Sequence, residues 1–178
     1  MEEIVVGVDG STDAERALRW AVQESRLRDA RVRAVLVWAS AGPQHEESKP
    51  PPATSPEHPR WTAYWLVNDL VERVLRTDPT APITSDVAFG PPVGTLLAES
   101  AGAEMLVLGA RGASPARRML AGSVSLACVH GAEIPVVVVH GEQEHAVRAG
   151  PVLVGVDGSP ASIDALRWAA DEAALRGA

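Results

Sequence analysis

Three glycines and a serine stand where an apolar run in the middle of the chain gives way to a helical pattern. Their spacing is Gly109-x2-Gly112-x9-Gly122-Ser123. Glycine lets the backbone approach a ligand because no Cβ stands in the way. Gly122 and Ser123 fall where a helix begins, and the first amides of a helix lack helical partners and attract anions. The hydroxyls of Ser123 and Ser125 would add donors, so the loop predicts a phosphate site.

The charge of this loop differs from that of the whole chain. The formal net charge is −7, yet no acidic residue occurs from 105 to 132. Three arginines lie in the same stretch, namely Arg111, Arg117 and Arg118. Phosphate suits such a local positive island. Arg111 lies between two glycines, and both ligand contact and simple solvation stay open for it. For Arg117 and Arg118 we expect solvation.

A second glycine-marked turn, Asp9-Gly10-Ser11, follows the first apolar run of the chain. Asp9 precedes a helical pattern, so it could cap that helix or contact a ligand. Its carboxylate could also reach a magnesium ion that accompanies a phosphate. A single carboxylate is weak evidence for catalysis, because catalysis needs a positioned base, nucleophile or metal ligand.

Several function classes are excluded by what the sequence lacks. The only lysine is Lys49, and G-x-x-x-x-G-K-[ST] does not occur, which excludes a Walker-type NTPase. G-x-G-x-x-G is also absent, so a dinucleotide fingerprint is unsupported. The acidic net charge argues against nucleic acid or an anionic membrane as the main partner. Cys128 is the only cysteine, which rules out an intrachain disulfide. Together with the acidic opening Met-Glu-Glu, it favours a cytoplasmic location.

Strand and helix patterns alternate along the first 140 residues. Apolar runs predict strands at 4–8, 32–38, 83–89, 105–109 and 134–139, with helical spacing between them. Such alternation predicts an α/β fold, a doubly wound parallel sheet with helices on both faces. Ligands of these sheets lie beyond the carboxyl ends of the strands, where the strand order reverses. If the first and fourth strands are neighbours there, Asp9-Gly10-Ser11 faces the loop that starts at Gly109.

An internal repeat and a proline-rich stretch set the predicted domain organisation. Residues 4–30 recur at 152–178 without gaps, and 15 of 27 positions are identical. We therefore expect a complete domain at 1–140, a linker at 141–150, and the first strand and helix of a second, incomplete copy at 151–178. Either a longer tandem protein was cut, or this remnant docks as it stands on a sheet edge or dimer interface. Residues 41–60 carry six prolines and predict an exposed insertion.

Three motifs together resemble the universal stress protein family: "VGVDGS" after the first strand, the long glycine motif, and "IPVVVV" as the closing strand. The likeness spans 1–140 and begins again at 151. It implies a five-stranded parallel sheet in order 3-2-1-4-5 and places the chain among the members that bind ATP. It also implies a homodimer through strand 134–139.

The resemblance further implies a role for each matching residue. Val8, Asp9 and Gly10 would contact adenine and ribose, with Ser11 lining the same crevice, and Val37 would form a wall of the adenine site. Gly109 and Gly112 would lie along the ribose and phosphates. Four residues would hold phosphate through amides and hydroxyls, namely Gly122, Ser123, Val124 and Ser125. Magnesium would be held by Asp9 at most.

Three functions stay open at this point. The first is an ATP-binding regulatory stress-response protein whose nucleotide occupancy biases conformation or dimerisation. The second is a slow ATPase or a nucleotidyl-transfer enzyme, and the third is a dimerisation scaffold with a vestigial loop. We expect Cys128 to be a buried apolar side chain and His130 to have a packing or capping role. A response-regulator receiver is discarded because Asp9 stands alone and the third strand ends in Phe89-Gly90.

Overall fold

The computed structural model describes residues 2–38, 55, 58–111, 122–141 and 150–178. The chain divides into two compact units, Met1–Glu142 and Gln143–Ala178. Strands and helices alternate through the first unit. The strands are β1 (Glu3–Val8), β2 (Arg31–Trp38), β3 (Ile83–Phe89), β4 (Met105–Gly109) and β5 (Val136–Val139). The helices are α1 (Thr12–Arg28), α2 (Pro59–Thr77), α3 (Pro92–Glu99) and α4 (Ser123–Gly131).

The five strands form one parallel sheet in the order β3-β2-β1-β4-β5. This confirms the predicted fold class and strand order. Alternate residues of β1 serve opposite faces, as the two-residue period of a strand requires. Ile4 and Val6 pack in the core formed with α1 and α2, whereas Val5 packs with Leu96 of α3 and Cys128 of α4. The order reverses between β1 and β4, so their carboxyl ends border the predicted crevice.

Three predicted boundaries within the first unit were wrong by a few residues. β5 begins at Val136 rather than Ile134, because Pro135 has no N–H to donate to the ladder. α2 begins at Pro59, inside the predicted insertion 41–60, because proline suits the first helical position and His58 caps the helix. The glycine at position 131 predicts a helix that ends at His130, but α4 includes Gly131, since the Ala132 amide still donates to the Cys128 carbonyl. The rest of the insertion, apart from Ser55 and His58, lies outside the described residues.

The second unit contains helix α5 (Pro160–Arg176), as the repeat predicts. The strand predicted at the start of this copy is not formed, because residues 151–157 pair with no strand in the described part of the chain. A strand needs a neighbour for its hydrogen bonds, and in the first copy β2 and β4 supply these bonds to β1. Leu153 is 96% exposed. Most of the predicted linker, residues 142–149, lies outside the described chain.

Candidate functional site

The turn after β1 places an exposed carboxylate at the carboxyl edge of the sheet. Asp9 accepts a hydrogen bond from the Ser11 amide through Oδ1, at 3.0 Å. Gly10 has φ of 81°, a left-handed conformation that glycine adopts readily. The Ser11 hydroxyl oxygen caps α1 by accepting from the Ala14 amide at 3.2 Å. Val8, the last residue of β1, is buried.

The repeated copy builds the same turn without the glycine loop. Asp157 accepts from the Ser159 amide at 2.9 Å, Gly158 has φ of 86°, and Ser159 caps α5. Because both copies adopt this shape, the Asp-Gly-Ser turn is encoded locally by an aspartate, a glycine and a capping serine. Asp9 therefore has a structural role, and its ligand contact stays a prediction.

Gly109, at the end of β4, packs directly against the first turn of α1. A Cβ at this position would lie 2.7 Å from the carbonyl carbon of Asp13, 2.8 Å from its oxygen and 2.9 Å from the Ala14 nitrogen. All three atoms belong to backbone, so they cannot move aside as a flexible side chain would. The missing side chain of Gly109 thus makes room for α1, a reason for glycine that the sequence did not reveal.

The start of α4 is held to the same end of β4. The Gly122 amide donates to the Ala110 carbonyl at 2.6 Å, and the Ser125 hydroxyl donates to the Gly109 carbonyl at 2.8 Å. Ser125 is buried and Ser123 is exposed. Phosphate contact by Ser125 stays a prediction, and its hydroxyl proton already serves Gly109. The first helical amides, those of Ser123, Val124 and Ser125, have no acceptor within α4.

Arg111, at the beginning of the loop, joins these elements electrostatically. Its Nε donates to Asp13 Oδ2 at 3.0 Å, and the other oxygen of Asp13 accepts from Arg16 Nη1 at 2.6 Å. The Asp13 side chain is only 11% exposed, whereas that of Arg111 is 54% exposed. The predicted ligand arginine therefore lies at the crevice, but it is paired with an acid that sequence reasoning missed. Gly112, Arg117 and Arg118 lie outside the described residues.

Val37, the predicted wall of an adenine site, lies beside Ala88 of β3 and packs into the core on the α3 side. Its neighbour Trp38 lies on the other face of the sheet, in ring contact with His58 and Phe89 at centroid distances of 5.2 and 4.6 Å. The sequence analysis did not single out Trp38. The signal that could have found it is its position, since it is an aromatic residue at the end of a strand, beside the predicted ligand edge. The adenine role of Val37 stays a prediction.

Two further side chains that could be reactive, those of Cys128 and His130, lie on α4. Cys128 is fully buried on α4, and burial raises the pKa of its thiol, which agrees with the predicted apolar role. His130 Nδ1 lies 2.8 Å from the Leu126 carbonyl oxygen, one turn earlier on the same helix. Within the described ranges no three His, Cys, Asp or Glu side chains gather as a metal site would require. No described helix is long and apolar enough to span a bilayer.

Comparison with known proteins places the first unit. The model of the universal stress protein family matches residues 1–140. A curated universal stress protein of Mycolicibacterium smegmatis is 36% identical over 181 residues, which is 98% of this chain and 60% of the relative. The chain thus spans about 60% of the length of these curated relatives.

Solved structures show the same fold. A universal stress protein from Lactobacillus plantarum covers 78% of the chain and 97% of its own length, with 23% identity and a TM-score of 0.62. Another, in complex with cAMP, has 23% identity and a TM-score of 0.57, and covers 78% of the chain and 96% of its own length. An Arabidopsis thaliana family member with AMP bound has 22% identity, a TM-score of 0.51, and coverages of 78% and 91%.

Proposed function

The chain belongs to the universal stress protein family, and we propose that residues 1–140 bind an adenine nucleotide at the carboxyl edge of the sheet, between β1 and β4. ATP is the ligand that the family resemblance implies, and bound cAMP and AMP in related structures support the adenine class. The observation that carries the proposal is the meeting of three segments. The first turn of α1, the end of β4 and the start of α4 are tied together through Gly109 and Ala110.

The groups at this edge fit the chemistry of a nucleotide. The first amides of α4, the exposed hydroxyl of Ser123 and the guanidinium of Arg111 are donors suited to phosphate oxygens. The carboxylate of Asp9 is exposed and suits the hydroxyls of a ribose. Magnesium would bind together with the nucleotide phosphates. The protein would then supply only one or two carboxylates, because Mg²⁺ keeps several of its water ligands.

We propose a regulatory role for this binding, in which nucleotide occupancy biases conformation or dimerisation in a cytoplasmic stress response. β5 is an edge strand of the sheet, and its unpaired side could join the same strand of a second copy. Residues 151–178 would begin a second copy of the domain, as the repeated turn and helix α5 suggest. Phosphate release, measured in the binding samples below, separates this role from a slow ATPase.

Substitution of Ser123 provides the sharpest test of the binding site. Ser123→Asp places a negative charge at the first position of α4, which favours the helix but repels phosphate. Ser123→Asn is its uncharged match in shape. We expect calorimetric titration to give at least about a tenfold weaker affinity for ATP in the aspartate variant than in the asparagine variant, because only the aspartate repels the phosphates. Mass spectrometry of the purified wild type should find adenine nucleotide.

Two results would refute the proposal. Wild type that purifies without nucleotide and ignores millimolar ATP, AMP and cAMP has no such site. Equal affinities of the aspartate and asparagine variants would place the phosphates somewhere other than the start of α4. A thermal melt of each variant confirms that the fold is kept.

A further inference from the structure

The ion pair between Arg111 and Asp13 joins two elements that any phosphate at this edge must approach. Arg111 is the second residue after β4, and Asp13 is the second residue of α1. They are 98 positions apart in sequence, and their Nε and Oδ2 atoms are 3.0 Å apart. Tertiary packing brings the two residues together, because Gly109 lets the end of β4 lie directly against the backbone of Asp13.

Asp13 differs from the other acids around it in its burial and its partners. Its side chain is 11% exposed, and its two oxygens bind two guanidinium groups, those of Arg16 and Arg111. Glu15, two residues further along, is 21% exposed and pairs instead with Arg19 and Arg73 on the outer side of α1 and on α2. Asp13 is thus the first-turn acid of α1 that reaches the loop.

A carboxylate and a phosphate compete for one guanidinium. Arginine presents a planar fork that matches both groups, and its contact with either is charge-assisted. A phosphate that engages Arg111 must therefore share it with Asp13 or displace Asp13. The displaced carboxylate would keep its negative charge within a few ångströms of the phosphate, where little water screens it.

We infer that Asp13 is a competing anion that sets the number of phosphates the site tolerates, an inference that rests on the proposed nucleotide function. Asp13 holds Arg111 when no phosphate engages it. Its charge penalises a ligand more as the ligand carries more negative charge. The site then discriminates among adenosine, AMP and ATP through an acid that contacts none of them directly.

Replacement of Asp13 by asparagine isolates this effect, since the side chain keeps its shape and loses its charge. Calorimetric titrations use adenosine, AMP and ATP as probes on the full chain. We expect Asp13→Asn to bind ATP about tenfold more tightly and AMP about threefold more tightly, because one charge-assisted competitor is removed. Adenosine affinity should stay within about twofold, as it carries no phosphate.

Glu15→Gln is the matched control, because it removes the same charge from the same helical turn without touching Arg111. Its affinities should stay within about twofold of the wild type for all three ligands if screening weakens distant charges. In an Arg111→Gln background, Asp13→Asn should favour ATP by a different factor than in the wild type, since competition for the guanidinium is gone and only the direct repulsion between Asp13 and the phosphates is left. The effect of Asp13→Asn on ATP affinity is thus compared with and without Arg111. This double-mutant comparison also holds if Asp13→Asn alone lowers the stability of the fold.

The outcomes separate the inference from the function beneath it. Wild type that binds none of the three ligands refutes the nucleotide site, and the inference fails with it. Wild type that binds ATP, together with an Asp13→Asn variant that gains equally for adenosine and ATP or does not gain at all, refutes the inference alone. A weaker ATP affinity in Asp13→Asn would mean that Asp13 instead positions Arg111 for the phosphate.

Discussion

Substitution of Gly109 by alanine should destabilise the first unit strongly. The added methyl group would lie 2.7, 2.8 and 2.9 Å from three backbone atoms of Asp13 and Ala14. Real Cβ atoms essentially never come within 3.0 Å of such neighbours, so α1 or the end of β4 must move. Overpacking a core costs about 1–3 kcal/mol, and backbone neighbours put this site at the upper end, about 3 kcal/mol.

Urea denaturation followed by circular dichroism measures this loss. With a slope of about 2 kcal/mol per molar urea for a domain of this size, the midpoint should fall by about 1.5 M. Gly94→Ala is the matched control, because Gly94 lies within α3 and a Cβ there meets nothing within 4 Å. The control should gain about 0.5–1 kcal/mol, the usual advantage of alanine over glycine in a helix.

The steric argument would fail if Gly109→Ala unfolded at the wild-type urea concentration. Gly7→Ala is a second comparison. The Cβ added there would lie 2.5 and 3.0 Å from side-chain ends, those of Leu108 and Leu96. Those groups can turn aside, so its loss should be smaller than that of Gly109→Ala. The reverse order would show that the backbone contact of Gly109 has no special cost.

Two further predictions concern titration and reactivity. Hydrogen bonds from the Ser159 hydroxyl and amide lower the pKa of Asp157 from 3.8 to about 2, so a carboxyl NMR titration should find it there and Ser159→Ala should raise it. Because the pKa of Asp157 is lower in the folded state than in the unfolded state, its ionisation stabilises the turn above the unfolded pKa. That stabilisation is lost as the pH falls through about 2. Titration of the Asp157 carboxyl near pH 3.8 would contradict this. Burial raises the pKa of the Cys128 thiol, so an aromatic disulfide reagent at pH 7 should react with it only after denaturation. Rapid reaction of the native protein would place the thiol at the surface.

The sequence was sufficient for the order and type of the elements in the first unit. Apolar runs and helical spacing placed β1 to β4 within one or two residues, because a buried strand and an amphipathic helix differ in period. The strand order was predicted through the family resemblance and is confirmed. The strand predicted at the start of the second copy is not formed, since the sequence pattern of a strand does not guarantee a partner for its hydrogen bonds.

Local chemistry likewise allowed the turns of the site to be predicted. Aspartate, glycine and serine form the same capped turn in both copies, and each hydrogen bond of that turn joins residues two or three positions apart. Such contacts need no distant partner, which is why the sequence alone suffices. The burial of Cys128 was predicted from its residue type, because a free cysteine behaves as a small apolar side chain.

Only the tertiary structure decided how these pieces constrain one another. The pairing of Arg111 with Asp13 spans 98 positions, and the bond from Ser125 to Gly109 spans 16. Neither leaves a periodic signal in the sequence, because both depend on how closely α1 and α4 pack on the end of β4. Gly109 illustrates the reason, since its conformation is ordinary and only the backbone of a distant helix excludes a side chain there.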